Sequence, residues 1–232
     1  MSMSTISAPD DQWVITPQTS TILFDHDGTL IDSETIHFDL WCDILDDFGV
    51  TLTQDFYCKV MAGIPVKQNA VDLVEHFNLD VSPSYLAQRK HDCLGSFLET
   101  QAFPLMPYAR ETILACSKAG FTLGIVTGGS KKSVEKTLSQ YGLRDYISCV
   151  VAVEDVASSK PAPDCYQLAM KMLGVSAQEC IAVEDTQTGL AAAVSAGLRC
   201  VVIPTVLSEH HDFTQATAQY DSLSSWLKSE AI

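Results

Sequence analysis

Hydrophobic and polar positions follow two different patterns before and after residue 104. After it, short apolar runs alternate with amphipathic stretches of helical spacing, and most of these stretches end at a glycine. This alternation is typical of βαβ units, which build a parallel sheet covered by helices on both faces. The predicted strands are 121–126, 149–153, 180–183 and 200–203, and the predicted helices are 106–119, 130–141, 164–173 and 188–196.

The chain before residue 104 holds one apolar run of strand type, followed only by helical spacing. We therefore predict the α/β class, with a Rossmann-like parallel-sheet core domain that is interrupted by an inserted α-helical domain. The core domain comprises 19–35 and 105–232, the inserted domain 36–104, and residues 1–18 form a mobile tail. The strand is 22–24, the helical stretches are about 33–48, 55–61, 66–78 and 84–101, and Ser33 is the predicted N-cap of the first.

Composition narrows the range of partners. Of 232 residues, 47% are hydrophobic and the formal net charge is −15, so the chain can build a core but repels nucleic acid and anionic membranes. No stretch approaches the roughly 18 apolar residues of a membrane span, and the polar N-terminus does not resemble a signal peptide. The eight cysteines contain no CxxC pair, which favours a reducing compartment. We expect a cytoplasmic protein, a monomer or weak dimer, that binds neither nucleic acid nor membrane.

Two aspartates directly follow the first predicted strand. Asp25 and Asp27 are two residues apart, so their side chains point to the same side of an extended chain. Carboxylates that project together repel each other unless a cation lies between them, and Mg²⁺ accepts such oxygen ligands together with substrate phosphate. Gly28 then allows a tight turn. Taken alone, this arrangement also fits an ordinary strand-to-turn junction.

Polar groups also follow the later strands, at the edge of the sheet where open α/β folds bind their ligands. A hydroxyl and two glycines before a helix form a candidate phosphate cradle, a lysine precedes a proline, and a second acidic pair ends a strand. Each has an ordinary alternative, namely a glycine-rich turn, a solvated loop lysine and a helix N-cap. The residues concerned are Thr127, Gly128, Gly129, Lys160, Glu184 and Asp185.

The order of these motifs resembles that of the haloacid dehalogenase-like hydrolases, which are mostly phosphatases that form an aspartyl-phosphate. The resemblance covers residues 20 to about 205 and is most specific at 25–30, 160–164 and 184–189. It implies that Asp25 is the nucleophile and Asp27 the general acid/base. It further implies that Thr127 hydrogen-bonds the phosphoryl group and that Lys160 neutralises Asp25 and a phosphate oxygen.

The same resemblance implies a metal cofactor. Mg²⁺ would be bound by Asp25, Asp185 and the backbone carbonyl of Asp27, with Glu184 assisting directly or through water. Phosphoryl transfer depends mainly on positioning and charge neutralisation, so a cation beside a carboxylate nucleophile suits this reaction.

The inserted helices resemble the small α-helical cap of this family, which closes over the site and selects the substrate. Within it, 61–67 resembles the substrate-specificity loop, which makes Gly63 and Lys67 candidate substrate-binding residues. His37 matches a histidine of the β-phosphoglucomutase branch, although that branch has an arginine where this chain has Val66. The alternative for His37 is an ordinary polar position on a linker helix.

These expectations combine into one functional prediction with two alternatives. We predict a Mg²⁺-dependent phosphatase that acts on a small phosphorylated metabolite, such as a sugar phosphate. The first alternative is a phosphomutase, which needs a second cationic phosphate site. The second is phosphonoacetaldehyde-type C–P hydrolysis, which needs a cap lysine that reacts as a neutral amine, and Lys67 is the candidate. The cations of the inserted domain are Lys59, Lys67, Arg89 and Lys90.

Overall fold

The structure, a computed structural model, describes residues 14–230 and 232. Its centre is a six-stranded parallel sheet with the strand order β3-β2-β1-β4-β5-β6. The strand order reverses at β1, and open α/β sheets bind ligands at such a point. The strands are β1 (Thr21–Phe24), β2 (Thr122–Val126), β3 (Cys149–Val151), β4 (Cys180–Glu184), β5 (Arg199–Val202) and β6 (Ala218–Gln219).

The helices divide into those of the helical segment that follows β1 and those that cover the sheet. The first four are α1 (Ser33–Asp46), α2 (Gln54–Phe56), α3 (Val66–Phe77) and α4 (Pro83–Thr100). The remaining ones are α5 (Ala109–Lys118), α6 (Lys131–Gln140), α7 (Asp164–Leu173), α8 (Gln187–Ser195) and α9 (Leu223–Ser229). No helix in the described part of the chain has the length and apolar character that crossing a membrane requires.

Alternating side chains of β1 explain the layers around the sheet. Ile22 and Phe24 point to one face, where they pack with α5, α6 and α9. Leu23 points to the other face, where it packs with α7 and α8. All three side chains are fully buried. A strand that buries both of its faces has a continuous apolar sequence, which is why the run 22–24 predicts it correctly.

Residues 33–100, which we call the helical block, have an apolar core of their own. Trp41 and Leu45 of α1 pack there against Leu86 of α4. A π-helical turn, Tyr57–Met61, continues α2 and buries both of its end residues in the same core. Together with the parallel sheet, this block confirms the predicted fold class.

The residues before β1 correct the predicted tail. Val14 is only 2% exposed and belongs to the core on one face of the sheet, and its carbonyl accepts a hydrogen bond from Arg199. The backbone N–H of Ile15 donates to Glu230 at 3.1 Å. Residues 14–18 are therefore part of the fold, whereas residues 1–13 of the predicted tail lie outside the described residues.

Some element boundaries also differ from the predictions. The N-cap of α1 is Asp32, whose Oδ1 accepts from the Thr35 N–H at 3.1 Å, and Ser33 is the first helical residue. Helix α5 begins at Ala109 rather than 106, because Tyr108 has a left-handed backbone with φ of 64°. The short strand β6 was not predicted, since two residues are too few to show a strand pattern. Helix α9 was not predicted either.

Candidate active site

Most predicted site residues meet at the carboxyl ends of β1, β2 and β4. Asp25 follows β1, Thr127 follows β2, and Glu184 is the last residue of β4. A cavity of about 400 Å³ lies between these strand ends and the helical block, a size typical of small-molecule sites. Its lining includes Asp25, Asp27, His37, Gly63, Thr127, Gly128, Gly129, Lys160, Glu184 and Asp185.

Three carboxylates and one ammonium group lie together in this cavity. Lys160 Nζ is 2.6 Å from Asp25 Oδ1 and 2.6 Å from Glu184 Oε1, and it donates to the Val126 carbonyl at 2.8 Å. Ligand atoms of Asp25, Glu184 and Asp185 all lie within 4.8 Å of one another. These side chains are buried, so the charges are not screened by water and must compensate one another.

Burial dominates the pKa values of this group. Burial, opposed by Lys160 and assisted by Glu184, raises the pKa of Asp25 to about 8. Burial and the charge of Asp25 raise the pKa of Asp185 well above its ordinary value. The pKa of Lys160 is raised, because the two carboxylates that it contacts outweigh the effect of burial. Lys160 is therefore a cation near neutral pH, and among the described residues it is the one cation that contacts these carboxylates.

The group fits a bound divalent cation. Three carboxylates against Lys160 leave two negative charges uncompensated when all are ionised. Oδ1 of Asp185 is buried and has no hydrogen-bond partner among the described residues, so a cation would satisfy it. Carboxylate oxygens are ligands that suit Mg²⁺. The carboxylate of Asp27 lies outside this group, and coordination by its backbone carbonyl stays a prediction.

The carboxylate of Asp27 contacts the end of β2 instead. Its Oδ2 accepts a hydrogen bond from Thr127 Oγ1 at 3.1 Å, and the Gly129 N–H holds the same hydroxyl at 2.9 Å. The buried His26 places Nδ1 3.8 Å from Asp27 Oδ2, beyond hydrogen-bond length. Burial raises the pKa of Asp27, but His26, Ser33 and Thr127 outweigh it, and the pKa is lowered overall. Asp27 is therefore ionised in the free protein.

Two glycines allow the backbone to approach these carboxylates. Gly28 has φ of +80°, and a Cβ atom there would collide with the carboxylate of Asp185. At Gly129, a Cβ atom would lie 2.6 Å from Asp27 Oδ2. Any larger residue at either position would displace an acidic group of the site.

The helical block contributes two of its three predicted substrate-binding residues to the cavity. The His37 ring centroid is 5.7 Å from that of Phe103, and burial lowers the pKa of His37 to about 4, so its ring is neutral near pH 7. Gly63 also lines the cavity. Lys67 does not, because it is the second residue of α3 and its side chain is exposed, while its neighbour Val66 reaches the cavity. Lys67 therefore does not join the other predicted site residues at the cavity.

Other residues of the site were not predicted. Tyr166 of α7 donates to Glu184 Oε1 at 2.6 Å, and its ring centroid is 5.2 Å from Lys160 Nζ. Glu34 and Tyr57 line the cavity from the helical block and hydrogen-bond to each other. The position of Glu34 could have been inferred from the sequence, because it lies in the first turn of the helix that follows the Asp25–Asp27 motif. The two tyrosines come near the site only through tertiary packing.

Comparisons with known proteins identify relatives of this chain by sequence and by fold. A family model described as haloacid dehalogenase-like hydrolase matches residues 19–197. Fructose-1-phosphate phosphatase YqaB of Escherichia coli (strain K12) is 31% identical over 181 residues, which cover 78% of this chain and 94% of that protein. Hexitol phosphatase B of the same strain is 29% identical over 184 residues, 78% of this chain and 82% of that protein. The crystal structure of CbbY from Rhodobacter sphaeroides in complex with phosphate has a TM-score of 0.74 at 26% identity, covering 92% of this chain and 100% of that one.

The chain belongs to the haloacid dehalogenase-like hydrolases. The matched residues include both aspartates of the first motif, Lys160 and the acidic pair at the end of β4, so the resemblance inferred from those motifs is confirmed. The family and the names of these relatives class the chain as an enzyme, a phosphoric monoester hydrolase.

Proposed function

We propose that this enzyme is a Mg²⁺-dependent phosphatase that hydrolyses a small sugar phosphate through an aspartyl-phosphate on Asp25. The observation that carries the proposal is the buried contact of 2.6 Å between Asp25 and Lys160, beside two further carboxylates at the strand ends. The names of two relatives, a fructose-1-phosphate phosphatase and a hexitol phosphatase, support a sugar or sugar-alcohol phosphate as substrate.

In the first step, a carboxylate oxygen of Asp25 attacks phosphorus while the bond from phosphorus to the alcohol oxygen breaks. Asp27 donates a proton to the leaving oxygen. Asp27 is ionised in the free protein, and the negative charge of the incoming phosphate raises its pKa, so that Asp27 takes up a proton from solvent before it donates one to the leaving oxygen. Mg²⁺ held by Asp25, Glu184 and Asp185 would supply positive charge that favours the ionised form of Asp25 and lets an anionic phosphate approach it.

In the second step, Asp27 accepts a proton from water as the water attacks the phosphorus of the aspartyl-phosphate. The bond between phosphorus and Asp25 breaks, and inorganic phosphate leaves. Thr127 holds Asp27 for both proton transfers through their 3.1 Å hydrogen bond. Lys160 remains cationic throughout and balances the charge of Asp25 whenever its carboxylate is free.

The charge of the cavity supports hydrolysis over the phosphomutase alternative. A mutase holds a bisphosphorylated intermediate and needs cations for both phosphates. Among the described residues that line the cavity, Lys160 is the one lysine or arginine, and His37 is neutral. The C–P hydrolysis alternative loses its candidate, because Lys67 lies outside the cavity.

A phosphate-release assay tests the proposal. We expect Mg²⁺-dependent release of inorganic phosphate from sugar monophosphates, and no conversion of β-glucose 1-phosphate to glucose 6-phosphate. Radiolabelled phosphate should be trapped on Asp25 after acid quenching, and Asp25→Asn should form no phosphoenzyme. Label on another residue would contradict the mechanism. Rapid isomerisation with little phosphate released would establish the mutase instead.

A further inference from the structure

The wall that the helical block contributes to the cavity has polar groups that the two chemical steps do not use. Glu34 of α1, Tyr57 of the π-helical turn and Asn69 of α3 all line the cavity. Tyr57 and Asn69 are only 4% exposed, and Glu34 is half-buried. Burying a polar group costs free energy unless the group forms hydrogen bonds. The hydrogen bonds that these groups can still form therefore indicate what the cavity binds.

Glu34 is held in place but not saturated. The Tyr57 hydroxyl donates a hydrogen bond to Glu34 Oε2. Burial raises the pKa of Glu34, while Tyr57 and the Gly63 backbone lower it in part. An ionised carboxylate accepts about four hydrogen bonds. The hydrogen bond from Tyr57 therefore leaves the carboxylate able to accept further hydrogen bonds from a ligand.

Asn69 offers a second acceptor on the same wall. Its Nδ2 donates to the carbonyls of Met61 and Ile64, both at 3.1 Å, which uses both of its N–H bonds and fixes the orientation of the amide. Its Oδ1 is buried and has no hydrogen-bond partner among the described residues. The amide thus combines two structural hydrogen bonds with one free acceptor.

The complementary ligand is rich in hydrogen-bond donors. Both unsaturated groups, Glu34 and Asn69 Oδ1, are acceptors, and Trp41 and Met61 add apolar surface to the same lining. A hydroxyl-bearing carbon chain supplies both kinds of contact. An ammonium group would also donate, but Lys90 already lies over the face of Trp41, with Nζ 5.3 Å from the ring centroid, and its charge also acts on Glu34. Where Lys90 is protonated, its charge disfavours a second cation beside Glu34.

We propose that Glu34, oriented by Tyr57, and Asn69 form a subsite that binds hydroxyl groups of the leaving alcohol. The subsite selects monophosphates of neutral polyhydroxy compounds over phosphate esters without hydroxyls. This inference rests on the phosphatase function proposed above and adds the residues that determine its specificity.

Substrate discrimination in matched variants tests the subsite. Glu34→Gln keeps the shape of the side chain but removes its charge, and Glu75→Gln is the same change at an exposed position of the helical block. We measure kcat/KM with Mg²⁺ for hexitol 1-phosphate, p-nitrophenyl phosphate and phosphoethanolamine. Glu34→Gln should lower the ratio of hexitol to nitrophenyl activity by roughly 10- to 100-fold, the effect of losing a hydrogen bond to a charged group. Glu75→Gln should leave the ratio unchanged.

A binding measurement separates this inference from the proposed chemistry. In an Asp25→Asn background, which forms no aspartyl-phosphate, calorimetry should show that Glu34→Gln weakens binding of hexitol 1-phosphate about tenfold or more. If the wild-type enzyme released no phosphate but this loss of affinity were found, the subsite would stand and the proposed function would fail. Tyr57→Phe, which removes one hydroxyl, should give the same change with a smaller factor and serves if Glu34→Gln does not fold.

Three outcomes would overturn the subsite. Equal losses on hexitol 1-phosphate and p-nitrophenyl phosphate would leave the phosphatase function intact but remove the assigned role of Glu34. No detectable binding of hexitol 1-phosphate to the Asp25→Asn protein would also contradict it. A wild-type preference for phosphoethanolamine over hexitol 1-phosphate would mean that the acceptors bind an ammonium group instead.

Discussion

Two buried lysines, one at the strand ends and one in the helical block, experience opposite electrostatic environments. Lys160 contacts the carboxylates of Asp25 and Glu184 at 2.6 Å each, and these raise its pKa. Lys90 of α4 is fully buried, but its Nζ donates to the carbonyl of His37 at 2.8 Å and forms no ion pair with a carboxylate of the described residues. Burial therefore dominates there and lowers the pKa of Lys90 to about 7.

The two lysines show that the pKa of a buried lysine depends on whether neighbouring carboxylates offset the cost of burying its charge. Both side chains are removed from water, which costs free energy for a charged group. At the strand ends, the carboxylates that phosphate chemistry requires also stabilise the lysine as a cation. In the helical block, the carbonyl of His37 and the face of Trp41 stabilise the charge of Lys90 much less. The first lysine is expected to matter mainly for activity and the second mainly for stability.

The largest expected effect is on activity at the strand ends. Lys160→Met removes the single ammonium group beside three carboxylates, so an anionic phosphate would meet uncompensated charge. We expect kcat/KM for sugar monophosphates to fall by roughly 10³-fold or more, as when a preorganised charge contact is lost. Lys171→Met, at an exposed position of α7, is the control. Substantial activity in folded Lys160→Met, verified by circular dichroism, would refute the role of Lys160.

The second prediction concerns the metal. Asp185→Ala removes one of the three clustered carboxylates, so Mg²⁺ should bind much more weakly. For the wild-type protein, millimolar Mg²⁺ should raise the melting temperature, because a ligand that binds only the folded state stabilises it. This rise should be absent in Asp185→Ala, together with Mg²⁺-dependent phosphate release. A variant with an unchanged Mg²⁺ response would place the metal elsewhere.

The third prediction concerns stability in the helical block. The pKa of Lys90 is about 7 in the folded protein and about 10.5 when unfolded, so between these values the unfolded state binds more protons. The penalty of burying the charge is fully present below about pH 7 and disappears as the pH rises toward 10.5. Lys90→Met should therefore raise the free energy of unfolding by about 1–4 kcal/mol near neutral pH.

Chemical denaturation at several pH values checks the sign of this effect. The advantage of Lys90→Met over the wild type should be largest at about pH 6 and should shrink at about pH 9.5. Lys59→Met is a matched control, because Lys59 is 71% exposed in the same block and its pair with Asp55 contributes about 0.3–0.5 kcal/mol. A difference that does not depend on pH would mean that packing, not charge, distinguishes Lys90.

The smallest expected effect is at Lys67. Its side chain is exposed and does not line the cavity, so Lys67→Ala should change KM for sugar monophosphates by less than about twofold and leave kcat unchanged. Steady-state kinetics with the substrates used for Lys160→Met checks this. A large, substrate-dependent increase in KM would restore the contact that the sequence predicts for Lys67.

The groups that carry the chemistry were predictable because each directly follows a strand. Carboxyl ends of neighbouring parallel strands meet at one edge of the sheet, so Asp25, Thr127 and Glu184 must come close once the strands pair. Lys67 does not line the cavity although α3 begins at Val66 as predicted, because the side that a helical residue faces depends on how the helix packs, which hydrophobic spacing does not contain. The contact of Glu34 with Tyr57 spans 23 residues and an irregular π-helical turn, so no local pattern predicts it.

The sequence by itself determined the first five strands, the inserted helices and the set of acidic, hydroxyl and lysine groups at the strand ends. These follow from local periodicity and chain order, which the amino-acid sequence contains directly. Only the tertiary structure decided that Lys160 is held as a cation, that Lys90 is buried without an ion pair among the described residues, and that Glu34 faces the cavity. The protonation of a buried group depends on distances to groups remote in the chain, and packing alone establishes those distances.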